Sequence, residues 1–129
     1  MNLDNAKQYA PPVLRIGLSL VFLWFGINQL LLPDDFMGYL PNFILQLDYA
    51  KTLIYLNGAA EVILGSLLLI GFMVRPVAFL LALHLLSIAG GLGYNDIMIR
   101  DLGLALATVS IFLGGADKWT VDYRRKNRL

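Results

Sequence analysis

The sequence predicts an all-α integral membrane protein, one four-helix bundle with four transmembrane helices, and three observations predict it. Of its 129 residues, 58% are hydrophobic and only 15% are charged, with a mean hydropathy of +0.68. Soluble domains carry about 45–50% apolar and about 25% charged residues. Four apolar runs follow one another, each long enough for the ~20 residues that cross a hydrocarbon core about 30 Å thick. They use about 80 residues and leave roughly 50 for ends and links, so residues 1–129 are expected to form a single membrane domain.

The first crossing is expected at 13–32, interrupted by Arg15 near its start and by Asn28-Gln29 near its end. It is longer than the ~7–15-residue apolar stretch of a signal peptide and lacks a small-residue cleavage site, so it reads as a retained helix. The second is expected at 52–72, broken only by Asn57, Glu61 and Ser66. The third, 76–94, starts at Pro76, which suits the first turn of a helix because its missing N–H has no partner to lose there. The tight link around Arg75-Pro76 makes these two helices antiparallel neighbours. The fourth, 97–116, begins at Ile97 or at Asp101, depending on whether Arg100-Asp101 lies inside it or bounds it. Segment 33–51 is too polar to cross and too apolar to be a free linker. Phe36, Leu40, Phe43, Ile44 and Leu47 recur in it at helical spacing, which predicts an amphipathic interfacial segment broken at Pro41.

Lys and Arg collect on the cytoplasmic side of a membrane. Four crossings put both termini on one side, with Lys7, Arg15, Arg75, Lys118, Arg124, Arg125, Lys126 and Arg128, and leave Lys51 and Arg100 on the other. Both termini are therefore expected in the cytoplasm, in the plasma (inner) membrane of a prokaryote. Ten basic and nine acidic residues nearly cancel, and no basic surface suggests nucleic acid. The chain has no cysteine, which removes thiol redox pairs and Cys-held iron–sulfur or metal sites. A single histidine cannot supply both axial ligands of a haem, and one His with one Glu falls short of a metal's usual ligand count. No metal and no covalent cofactor are expected, and no nucleophile or phosphate loop supports catalysis by this chain alone.

Polar residues at membrane depth are the informative ones, since each is expensive unless it faces protein or water. Arg15, Ser19, Phe22, Gly26 and Gln29 recur by three and four residues on the first helix, and Asn57, Glu61, Gly65 and Leu68 on the second, with Gly58 beside them. His84, Ser87 and Gly91 share a stripe on the third, and Asp101, Ala105, Thr108 and Gly115 on the fourth. These stripes are expected to line the interior, where small residues allow close approach and polar side chains bond across the seam. At ~1.5 Å per residue, Glu61 and His84 differ in depth by only about 5 Å and should meet near the midplane. Glu61, His84, Asn57 and Gln29 form the candidate intramembrane polar site. Arg15, Arg100 and Asp101 are secondary candidates: Arg15 has a structural alternative in pairing with Asp117 or Asp122, and Arg100-Asp101 could simply begin the fourth helix.

These residues also carry a resemblance. Arg15, Phe22 and the run Gly26-Ile27-Asn28-Gln29-Leu30 resemble the opening of the DoxX family of small four-helix membrane proteins. Glu61, Gly65, Leu67-Leu68-Leu69, Gly71 and Arg75 follow the family's Glu-to-Gly-to-Arg order. Arg100-Asp101-Leu102 and the stretch from Gly114 to Asp122 resemble its closing segment. Gln29 stands where members often carry a lysine, and Ala116-Asp117 displaces the closing segment's second glycine. The family takes its name from a subunit associated with thiosulfate:quinone oxidoreductase. The resemblance therefore implies an accessory or subunit protein of a quinone-linked redox system, with a membrane or peripheral oxidoreductase as partner and a quinone as the ligand that Glu61 and His84 would meet. The alternatives are a small transport or permeation protein, which would need a homo-oligomer, and a non-catalytic assembly factor whose polar seam only fixes helix register.

Overall fold

A computed structural model describes residues 2–92 and 95–128. Among these residues the chain is helical with no strand, and four of its helices are long and apolar enough to cross a membrane. After a single turn, α1 (Leu3–Ala6), the chain enters α2 (Ala10–Leu31). A 3₁₀ stretch, Pro33–Tyr39, and one turn, α3 (Asn42–Leu45), lead to α4 (Ala50–Ile70). Then come α5 (Val74–Leu92), α6 (Asp96–Gly114) and a short α7 (Val121–Asn127). The most extensive contacts run between α2 and α4 and between α5 and α6. The tightly linked α4 and α5 do touch, but far less, so the bundle is two helix pairs laid side by side.

The helix ends follow local chemistry. Helix α2 starts earlier than the apolar run because Pro11-Pro12 fit its first turn, where no N–H is needed. Helix α4 ends at Gly71, which adopts the left-handed φ of 77° and closes the helix with N–H bonds to the carbonyls of Leu67 and Leu68. Asn95 caps α6 by accepting from the Met98 N–H at 2.8 Å, which places Arg100-Asp101 inside the helix, in its second turn, and not at its boundary. The last two residues expected in the third crossing, 93 and 94, lie outside the described residues.

Pro33–Leu45 does not form one amphipathic helix. Pro41, lacking an N–H and extended at φ −60° and ψ 150°, separates the 3₁₀ stretch from α3. Phe36 is buried and Leu40 and Ile44 half-buried, whereas Phe43 and Leu47 point outward.

Three of the four expected stripes face inward. Arg15, Ser19, Phe22, Gly26 and Gln29 are buried on α2, Gly58, Glu61, Gly65 and Leu68 on α4, and Asp101, Ala105 and Thr108 on α6. Helix α5 departs from the expectation. Its buried face is apolar, with Val74, Val77, Ala78, Leu81, Ala82, Leu85 and Ala89. His84 sits at the edge of that face, and Ser87 and Gly91 are exposed. Nor do the hydroxyls bond across the seam: Ser19, Ser87 and Thr108 each donate to the carbonyl four residues earlier in their own helix.

The end of the bundle that carries both termini is tied by the segment after α6. The buried Arg15 donates through Nε to Asp117 Oδ2 at 2.8 Å, and through its terminal nitrogen to the carbonyls of Leu68 and Leu69 at the end of α4. Arg15 pairs with Asp117 and not with Asp122, which has other work. Its two carboxylate oxygens accept the N–H groups of Met73 at 2.9 Å and Val74 at 2.8 Å, satisfying the start of α5. Thr120 packs against Gly71 so closely that a Cβ there would fall 2.3 Å from its side chain.

Candidate functional site

Where α2 crosses α4, backbone meets backbone. A Cβ on Gly26 would lie 2.9 Å from the Gly58 carbonyl oxygen, and one on Gly58 would lie 2.9 Å from the Gly26 carbonyl oxygen. Gln29 is one turn along α2 from this crossing, and Glu61 is one turn along α4. Asn57 and Glu61, four residues apart, share a helix face. The close approach therefore delivers Gln29 to both.

Four polar side chains from three helices join there. Gln29 Nε2 donates to Glu61 Oε2 at 2.8 Å. Asn57 Nδ2 donates to Gln29 Oε1 at 2.6 Å and to Glu61 Oε1 at 3.4 Å. From α5, His84 Nε2 lies 2.9 Å from the same Glu61 Oε1. Glu61 and Gln29 are buried, Asn57 is half-buried and His84 keeps 23% of its side chain exposed. Gln29, Asn57, Glu61 and His84 are thus one hydrogen-bonded group centred on a carboxylate. Asn28, beside Gln29 in sequence, faces away and donates to the Trp24 carbonyl.

This group forms part of the wall of a cavity of about 410 Å³. Phe22 and Phe25 of α2 contribute to it, with Leu53 and Ile54 of α4, Leu85 and Ile88 of α5, and Leu104 of α6. Phe36, Tyr39, Leu40 and Ile44 close it from the segment that links α2 to α4. Gln29, Asn57 and Glu61 reach the cavity, while His84 does not line it and touches Glu61 from behind. A site of this volume, mostly apolar with a few convergent polar groups, suits a small amphipathic ligand.

Arg100 and Asp101 line the same cavity from α6. The Arg100 guanidinium donates through Nε and Nη2 to Asp101 Oδ1, at 3.1 and 3.0 Å. It also lies 5.1 Å from the centroid of Phe25 and 5.8 Å from that of Tyr39. The aromatic wall is what sequence spacing missed. Phe25, Phe36 and Tyr39 make a continuous set, with Phe25 edge-on to Phe36 at 6.2 Å and Phe36 stacked on Tyr39 at 5.5 Å. The sequence signal for it is the placement of two aromatics, Phe36 and Tyr39, in the link directly after a helix that ends in a cavity-facing Gln. Arg15, in contrast, is remote from this cavity and belongs to the tie at the other end.

A family model described as DoxX matches residues 10–92. The matched stretch holds α2, the cavity-closing link, α4 and α5, and so all four members of the hydrogen-bonded group. Helix α6 and the closing segment lie beyond it. No curated protein and no solved structure matches the chain. With nearly two thirds of its length matched by that one family, in a bundle of four membrane-length helices, the chain belongs to the DoxX family.

Proposed function

We propose that the protein is an accessory component of a quinone-linked membrane redox system, and that its cavity holds a quinone headgroup. One observation carries this reading: a buried carboxylate, held by Gln29, Asn57 and His84, reaches an aromatic-walled cavity of about 410 Å³ among membrane-length helices. A quinone ring is flat and apolar at its faces and polar at its two oxygens. Phe22, Phe25 and Phe36 supply surfaces for the faces, while the polar wall supplies partners for an oxygen. Among the described residues the hydrogen-bond partner of His84 is Glu61, so its role is to position the carboxylate and to exchange a proton with it. Electrons come from a separate oxidoreductase, membrane-bound or peripheral, for which this chain supplies the quinone contact.

The charge distribution supports a bacterial or archaeal plasma membrane with both termini in the cytoplasm. Eight of the ten basic residues lie at the end of the bundle that carries the termini.

The test is extraction of the tagged protein in a mild detergent, with mass spectrometry of co-purifying proteins and small molecules, followed by titration of the purified protein with decylubiquinone. A stoichiometric oxidoreductase or a bound quinone supports the reading, and Glu61→Gln should then weaken binding by about tenfold, the loss of one hydrogen bond to a charged group. A lone homo-oligomer without either moves the function to transport. Unchanged partner activity after Glu61 is neutralised moves it to assembly.

A further inference from the structure

The polar groups facing the cavity are unevenly matched. At the Glu61 end most donors are engaged: Asn57 Nδ2 serves both Gln29 and Glu61, and one N–H of Gln29 Nε2 serves Glu61. Asn57 Oδ1 is paired with no donor among the described residues. The α6 wall repeats the pattern. Asp101 is 4% exposed, and its Oδ1 accepts both bonds from Arg100. Its Oδ2 has no donor among the described residues, yet no side-chain oxygen there is both sealed and unpartnered. Asp101 is among the residues that line the cavity. Arg100 is the more exposed member of the pair, engaged by Asp101 and by the faces of Phe25 and Tyr39.

Two of the cavity's helices carry charged acceptors, Glu61 on α4 and Asp101 on α6, and its donors include the second Nε2–H of Gln29 and the Arg100 N–H groups that Asp101 does not take. A ligand that only accepts can meet those N–H groups but leaves Asp101 Oδ2 desolvated without a partner, which is unfavourable. A ligand with two hydroxyl donors satisfies both walls, and hydrogen bonds to charged acceptors are the stronger kind. We propose that the cavity is selective for a dihydroxy-aromatic ligand, so that of a quinone couple it holds the reduced, quinol form more tightly, with one hydroxyl on the Glu61–Asn57 wall and the other on Asp101 Oδ2. This rests on the quinone-headgroup reading and adds to it a preference between redox forms and a role for Asp101. Tighter binding of the reduced form raises the midpoint potential of the bound couple, by about 30 mV for a tenfold preference.

The experiment uses the full chain in lipid nanodiscs under oxygen-free conditions, with calorimetric titration by decylubiquinol, decylubiquinone and the monomethyl ether of decylubiquinol. The expected result is about tenfold tighter binding of the quinol than of the quinone, with the ether losing most of that preference. Asp101→Asn should narrow the ratio to within about threefold, since a neutral amide replaces one of the two charged acceptors. The wild-type ratio decides the matter by itself if that variant does not fold. Equal affinities for quinol and quinone, or tighter binding of the quinone, overturn the selectivity while leaving the headgroup site standing. Binding of neither form overturns both.

Discussion

Arg15 and Glu61 are the two charged side chains around which the interior is organised, and they answer differently to substitution. Arg15 and Asp117 are buried together, at 2% and 5% side-chain exposure. Breaking a buried pair by removing one partner leaves the other uncompensated, at about 3–5 kcal/mol. Arg15→Met should therefore lower stability by that amount in thermal or denaturant unfolding in detergent, and the double variant with Asp117→Leu should lose less than the single. Glu61→Leu strands the Gln29 Nε2 donor, while Asn57 keeps its bond to Gln29, and should cost about 1–3 kcal/mol for the group left unsatisfied, read as a lower melting temperature that Glu61→Gln partly restores. The pairing of Glu61 with His84 could be reached from depth arithmetic alone, because helical rise is fixed. Which atoms meet could not, since that depends on the Gly26–Gly58 crossing, and a glycine in an apolar run does not announce its partner. The stripe misread on α5 has a plain cause: Ser87 satisfies its hydroxyl on the Leu83 carbonyl and needs no interior.

At the scale of elements, the α2–α4 crossing and the start of α5 are the points where small changes propagate. Gly26→Val sets a branched side chain where even a Cβ lies 2.8–2.9 Å from Val62 and the Gly58 carbonyl. Helix backbones do not yield as side-chain tips do, so a loss of about 1–3 kcal/mol is expected, accompanied by loss of the Gln29–Glu61 hydrogen bond as the two helices are pushed apart. Gly17 is the internal control on the same helix. No atom stands within 4 Å of a Cβ there, and Gly17→Ala should be neutral or stabilising by up to about 1 kcal/mol. Asp122→Ala removes the acceptor for two amides at the start of α5 and should lower stability by about 0.5–2 kcal/mol, the range for a helix cap, measured by the same unfolding assay. Helix positions were legible because apolar runs of fixed length have few other fates. The form of the 33–45 link was not, because Phe36 and Tyr39 are placed by rings on other elements and not by their own periodicity.

The whole molecule is two helix pairs, α2 with α4 and α5 with α6, joined by a cavity near one end and a polar tie at the other. Reporters fused to the two ends should read out in the same compartment, and the basic residues around them predict the cytoplasm; opposite compartments would remove the four-crossing topology. The tie also sets an order of events during synthesis. Arg15 lies in the first helix to enter the membrane, and its carboxylate partner is made 102 residues later. At about 5–20 residues per second, the guanidinium waits roughly 5–20 s for Asp117, and the carbonyls of Leu68 and Leu69 reach it first. A nascent chain that stops between Gly114 and Asp117 thus carries four membrane-length helices with a cation in the first that lacks its carboxylate. Unfinished and finished copies therefore differ in the charge state of one buried contact, Arg15 without or with Asp117.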